Sequence, residues 1–234
     1  MKNSVILKTV ILSTDDNLDY ITCLPYIQKA WNNLGWKTLT FYLGNKDIQS
    51  SEENKIIKIN SIEGFKDATI VQVSRLFGSK YTDGLIMTSD VDMMPLSDYW
   101  HPDENTITCY GSDLTYYKQH PICYIASKKE NWDKLIYEKS IEELLVKYPQ
   151  SKSNNFNEWW FVDQDIITER IEKNQNRIII PRAFHNNLAL GRIDRADWEF
   201  TKNNDTIKID AHLPRPFNKN EVEFLLLKYH NIKI

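Results

Sequence analysis

The sequence predicts an α/β fold, with a central mixed, mostly parallel sheet flanked by helices. Three observations predict it. The N-terminal part alternates strand, helix and strand, the order that builds parallel sheets with helices packed over them. Mid-chain, the apolar run Gly84-Leu85-Ile86-Met87-Thr88-Ser89 leads straight into Asp90-Val91-Asp92, the pattern of a buried strand ending in a cleft. Hydrophobic residues make up 41% and aromatics 12% of 234 residues, enough to fill a core and exclude wholesale disorder.

Residues 10–13 form the first apolar strand, followed by the polar Thr14-Asp15-Asp16-Asn17. Residues 20–34 read as a helix, with Ile21, Leu24, Ile27 and Trp31 near helical spacing. Pro25 sits in its first turns, where proline is tolerated, and Gly35 ends it. Strands follow at 37–43 and 56–59, then a helix at 67–77 that turns Ile70, Val71, Val73, Leu76 and Phe77 mostly inward. The central strand is 84–89, and Pro95, lacking a backbone donor, stops the strand soon after the acids. Strands are expected at 106–109 and 122–126, and one or two helices over 131–148. A polar loop at 151–155, a helix at 161–173, a strand at 177–180 ended by Pro181 and a closing helix at 222–230 complete the chain. No internal repeat and no linker stand out.

Charge narrows the partners. Basic residues number 29 and acidic 32, for a net −3, and the basic ones are scattered, which argues against nucleic acid. Cys23, Cys109 and Cys123 show no metal spacing. Their odd number without a secretory signal points to free thiols in a reducing compartment, packed as small hydrophobes. Residues 5–12 are too short and too charged to span a bilayer, and no other stretch qualifies. The expectation is a soluble, cytoplasmic protein with no transmembrane segment, compatible with peripheral membrane contact.

In open α/β sheets, ligands bind at the carboxyl ends of strands near a switch in strand order. Asp15 and Asn17 lie at one such end and Asp90 and Asp92 at another, so the two ends are expected to share one crevice. Two hard oxygen ligands at a strand end can hold a divalent cation, and the cation a diphosphate. A bare Asp-x-Asp triplet is equally a strand end with exposed acids, but a solvated acidic loop does not usually follow Leu-Ile-Met. Mn²⁺ and Mg²⁺ both suit oxygen, and an added imidazole favours Mn²⁺.

Four pieces in order carry a family resemblance: Leu12-Ser13-Thr14-Asp15-Asp16-Asn17-Leu18-Asp19-Tyr20, Ser74-Arg75-Leu76, Asp90-Val91-Asp92 and Trp160-Phe161-Val162-Asp163-Gln164-Asp165. A late Asp210-Ala211-His212-Leu213-Pro214-Arg215-Pro216 completes the set. The chain resembles the GT-A-fold (Rossmann-like) glycosyltransferases, in the general look of the small single-domain enzymes of large DNA viruses and bacteria. For a virus-encoded protein, the implied location is the host cytoplasm. The resemblance covers nearly all of 1–234 as one domain, with a nucleotide-binding half to about 100 and an acceptor-binding half after it.

The resemblance implies transfer of a sugar from a nucleotide-sugar, UDP-linked, to an acceptor hydroxyl on a glycan or glycoconjugate. Ser13, Thr14 and Asp15 would cradle base and ribose. Tyr20 would stack on the base or pack on its own helix. Arg75 would reach the diphosphate, or else form a surface salt bridge. Asp90 and Val91 would face the donor, Asp90 and Asp92 hold the metal, and His212 serve as third ligand or as a packed core histidine, with Arg215 near the leaving group. Inversion needs a carboxylate base. Asp163 is the first choice and Asp165 the second, one of them free while the other caps the helix. Trp159, Trp160 and Phe161 would form an acceptor platform or pack in the core, and Asp113 would bond donor-sugar hydroxyls.

Asp-Gln-Asp also occurs in retaining enzymes of the glycogenin-like group, which need no such base. This chain has His-Leu-Pro-Arg-Pro where that group has His-x-x-Gly-x-x-Lys-Pro. A haloacid-dehalogenase-type phosphatase would place its acids after the first strand. A nucleotidylyltransferase would open on a Gly-rich loop, absent before Gly35. A non-catalytic nucleotide-sugar-binding module would hold nucleotide without turnover.

Overall fold

The computed structural model describes residues 6–111, 119–180, 184–185, 188–189 and 191–233. Its strands are β1 (Lys8–Asp15), β2 (Lys37–Leu43), β3 (Asn54–Lys58), β4 (Leu85–Thr88), β5 (Met93–Pro95), β6 (Ile107–Tyr110), β7 (Ile125–Lys128), β8 (Arg177–Ile180), β9 (Phe184–His185), β10 (Leu188–Ala189), β11 (Arg192–Asp194) and β12 (Asp210–His212). Its helices are α1 (Leu18–Ile21), α2 (Leu24–Asn33), α3 (Asp67–Ser74), α4 (Lys129–Leu135), α5 (Ile141–Leu145), α6 (Phe156–Trp159), α7 (Val162–Glu172), α8 (Trp198–Asn203) and α9 (Lys219–His230).

The main sheet has the order β3-β2-β1-β4-β7-β6-β8. Pairs β3–β2, β2–β1, β1–β4 and β6–β8 are parallel, whereas β7 runs antiparallel to both β4 and β6. The expected mixed, mostly parallel sheet is present. Order reverses between β1 and β4, because β2 and β3 add to one side of β1 and β4 to the other. That reversal opens the crevice.

Strand periodicity sorts the core into two layers. Val10 and Leu12 pack on one face of β1 with α2 and α9, through Ile27, Trp31, Val222 and Leu226. Ile11 packs on the other face with α3 and α7, through Ile70, Val73, Ile166 and Ile167. All are fully buried, each contributing about 1.5–3 kcal/mol of apolar burial. Gly84, at φ +80°, lets the chain enter β4: a Cβ there would stand 2.3 Å from the Leu7 carbonyl oxygen.

The structure departs from the sequence reading at three places. The expected helix 20–34 is two helices, α1 and α2, because Pro25 has no N–H to bond back and its ring crowds the preceding turn. The helix begun at Asp67 tightens into a 3₁₀ segment, Arg75–Lys80. Over 131–148 the expected one or two helices are two, α4 and α5. Strand β4 ends at Thr88, before the acids, and after them the chain forms a separate β5, with Pro95 as its last residue, in a second sheet of order β11-β12-β5. That three-stranded sheet, like α6 and α8, was not expected.

Candidate active site

A cavity of about 370 Å³ opens at the carboxyl ends of β1 and β4. Ser13, Thr14, Asp15 and Asn17 from the end of β1 line it, together with Asp90, Val91 and Asp92 from the turn after β4. The two expected strand ends do share one crevice. Helix α3 adds Ala68, Val71 and Gln72, with Arg75 one residue past its end; this i, i+3, i+4, i+7 set marks a single helical face. Trp160, Asp163 and Gln164 repeat the spacing at the start of α7. Tyr20, Ile122, Arg195, His212 and Arg215 complete the lining.

The small sheet explains how His212 arrives. In the antiparallel β5–β12 register His212 faces Met93, and the Leu213 amide donates to the Asp92 carbonyl at 2.9 Å. His212 Nε2 therefore lies 3.5 Å from Asp92 Oδ2. In the parallel β11–β12 register His212 faces Asp194, whose Oδ1 is 3.9 Å from His212 Nδ1. Two guanidiniums reach the same Asp92 oxygen: Arg215 Nη2 donates at 2.6 Å and Arg195 Nη1 at 2.9 Å. Burial pushes the Asp92 carboxyl up, but His212, Arg195 and Arg215 outweigh it and hold the group well below the usual carboxylate range. The Arg215 guanidinium also lies 4.2 Å from the Tyr20 ring centroid, a cation–π contact.

Arg75 is not a surface residue. It is 5% exposed and ties two acids together: Nη1 donates to Asp90 and Nη2 to Asp163 Oδ2 at 2.8 Å. Its Nε donates to the Gln72 carbonyl at 3.3 Å, and Nη1 also reaches the Ser89 carbonyl at 3.3 Å. Asp163 is 2% exposed, and its Oδ1 accepts from the Gln164 amide at 2.8 Å. Burial raises the Asp163 carboxyl above the usual range, against the pull of Arg75. Neither Asp163 nor Asp165 is the cap of α7; Phe161 stands there without a side-chain hydrogen bond.

Asp165 does not line the cavity: its carboxylate accepts from Gln119 and, at 3.5 Å, from Gln150. Asp113 lies outside the described residues. Asp15 accepts from the Asn17 amide at 3.0 Å, and Asn17 in turn caps α1 by accepting from Asp19. Arg195 was missed in the sequence, since nothing in its local pattern shows that β11 carries it to Asp92. Gln72 was missed too, although its spacing from Arg75 on one helical face was there to be read.

Asp92 and His212 suit a divalent cation. A carboxylate oxygen and an imidazole nitrogen 3.5 Å apart can be spanned by one ion, whose ligands stand roughly 3 Å from each other at bonds of about 2.1 Å. Asp90 stands beside them, 35% exposed, with one oxygen held by Arg75. Among the described residues, no group of three or more His, Cys, Asp or Glu side chains is arranged to hold a metal.

No family model and no curated protein matches the chain. Solved structures do. The galactosyltransferase LgtC, solved in complex with donor and acceptor sugar analogues, is 13% identical, with a TM-score of 0.51 over 87% of this chain and 86% of that one. The glycosyltransferase GlyE of Streptococcus pneumoniae is 14% identical over 75% of this chain, with a TM-score of 0.48, and this chain spans 45% of its length. The catalytic domain of Drosophila β1,4-galactosyltransferase 7 is 14% identical over 93% of this chain and 73% of that one, with a TM-score of 0.46. The likeness to LgtC establishes the fold: a mixed sheet flanked by helices, of the GT-A type.

Proposed function

We propose that this chain transfers a sugar from a nucleoside-diphosphate sugar, most plainly a UDP-sugar, to a hydroxyl of a glycan or glycoconjugate, with a divalent cation. One observation carries the reading. A single cavity at the strand switch gathers the Asp92–His212 pair, suited to a cation, and the guanidiniums Arg195 and Arg215, suited to a diphosphate. Tyr20, already half-covered by Arg215, would flank the nucleoside with Ser13, Thr14 and Asp15.

Asp92 and His212 would hold the cation, Mn²⁺ in preference to Mg²⁺ because of the imidazole, and Asp90, one oxygen of which is held by Arg75, would join them only by turning its carboxylate towards the pair. When bound, it neutralises charge on the departing diphosphate. The chain's own part is orientation: the α3 and α7 faces line the cavity and would position the two substrates against each other. For inversion, Asp163 takes the proton of the acceptor hydroxyl, which requires its release from Arg75. A second reading, retention without a protein base, is favoured by that same ion pair, which occupies Asp163.

Calorimetry of UDP and GDP, with and without Mn²⁺, on the wild type and Asp92→Ala tests the proposal. Cation-dependent binding of one nucleotide, lost in the variant, supports it. Binding of neither overturns it and favours the phosphatase reading. The anomeric configuration of freshly formed product, read by NMR, separates inversion from retention.

A further inference from the structure

The cavity has two chemically different walls. The strand ends and β12 supply charge: Asp90, Asp92, His212, Arg195 and Arg215. The faces of α3 and of the α6–α7 segment supply neutral groups, Ala68, Val71, Gln72, Trp160 and Gln164, while their charged members Arg75 and Asp163 are paired with each other. The neutral wall does not end at the cavity. Phe156 stacks on Trp160, ring centroids 5.1 Å apart at 19°, and is 52% exposed. Trp159 buttresses both edge-on, at 82° to Phe156 and 78° to Trp160, with Lys66 Nζ 5.1 Å from its centroid. An aromatic surface therefore runs from inside the cavity out to solvent. Beside it Gln72 lines the cavity, and its buried amide oxygen has no hydrogen-bond partner among the described residues.

We propose that Trp160, Phe156 and Gln72 form the acceptor subsite, taking a neutral pyranose ring of a glycan. Buried polar atoms are almost always satisfied, so the Gln72 oxygen awaits a donor, and a sugar hydroxyl provides one. The apolar C–H face of a pyranose fits an aromatic face with its hydroxyls directed sideways to such an amide. The charged groups of this wall are already engaged, Arg75 with Asp163 and Lys66 with the Trp159 ring, which favours a neutral ligand. A surface that continues into solvent suits a chain extending beyond one ring, as an acceptor glycan does and a donor sugar does not. The assignment of this sugar as acceptor rests on the glycosyl-transfer reading; the sugar site itself rests on the wall.

The test is saturation-transfer NMR on the full chain, with UDP and Mn²⁺ present, using the methyl α- and β-pyranosides of glucose, galactose and mannose. At least one should receive saturation, strongest on the hydrogens of one ring face. Phe156→Ala should weaken that ligand about threefold to tenfold, the scale of one aromatic contact. Trp160→Ala should abolish its binding and Gln72→Leu should weaken it. Phe156 is half exposed, so its variant carries the test if Trp160→Ala fails to fold. No transfer to any glycoside, or transfer undiminished in Phe156→Ala, overturns the subsite. Glycoside binding by a chain that binds neither UDP nor GDP supports the sugar site and sinks the glycosyl-transfer reading instead.

Discussion

Arg75 Nη2 and Asp163 Oδ2 stand 2.8 Å apart, both almost fully buried, with the other arm of the guanidinium on Asp90. One arginine thus fixes two acids that are 73 positions apart in the sequence. Arg75→Ala would leave Asp163 buried beside Asp90 without compensation, at a cost of about 3–5 kcal/mol. Arg75→Lys, with no fork to span both acids, should recover only part of it. Asp163→Asn keeps an oxygen for Arg75 and should cost less. Urea denaturation of the three variants checks the order Ala, Lys, Asn, and an equal loss in all three would count against the tie.

Arg195 and Arg215 crowd one oxygen of Asp92. Under the proposed function, a cation on that oxygen would free both guanidiniums for the diphosphate of a bound nucleotide. Arg195→Ala should lower UDP affinity in Mn²⁺ by about 1.5–3 kcal/mol, the worth of one charge-assisted hydrogen bond. It should leave uridine binding, which has no phosphate, unchanged. Calorimetry with the two ligands reads the difference, and parallel losses for both would deny Arg195 a diphosphate role.

What the sequence made legible follows from locality. Strands β2 and β8 fall where hydrophobic runs and punctuation place them, and the Asp90-Val91-Asp92 turn announces itself. The crevice followed from the strand-switch rule. The three-stranded sheet was not legible, because β5, β11 and β12 have three residues each, too few for periodicity, and exist only by pairing across the chain. Arg195 was hidden for the same reason. His212 was found only through resemblance; its register beside Asp92 is a tertiary fact. The burial of Arg75 was likewise out of reach, since a lone arginine in a helix reads as solvated.

Glu138 is fully buried, chelated by Arg170 through 2.7 and 2.8 Å bonds and by Lys147 at 3.0 Å. Burial would raise its carboxyl, but the Arg170 and Lys147 hydrogen bonds bring it down to about 2. A depressed carboxylate contributes stability above its unfolded value, near 4.5, that is lost as pH falls towards 2. Glu138→Gln should cost about 1–3 kcal/mol near neutrality. The gap to wild type should narrow as denaturation is repeated below about pH 4. A gap constant with pH would mean that packing, not charge, is what the substitution removes.

His230 closes α9 onto the small sheet: Nε2 donates to the Pro95 carbonyl at 2.7 Å, and Nδ1 accepts from Asn33 at 3.3 Å. Those partners fit the neutral ring, and a second proton on Nδ1 would face the Asn33 amine. Burial lowers the imidazole below its ordinary 6.5, against the pull of the Pro95 bond. The sign follows from proton linkage. Between the folded and unfolded values the unfolded chain binds more protons, so the contribution is complete above 6.5 and declines as pH drops beneath it. Stability should therefore fall as the pH is lowered through 6.5, and His230→Gln, which keeps a donor for Pro95 but does not titrate, should flatten that slope. Urea midpoints across the range measure it. Because Pro95 ends β5, whose partner β12 carries His212, loosening at His230 should reach the Asp92–His212 pair as well. Mn²⁺-dependent UDP affinity at the acid end of the range should then weaken less in His230→Gln than in the wild type.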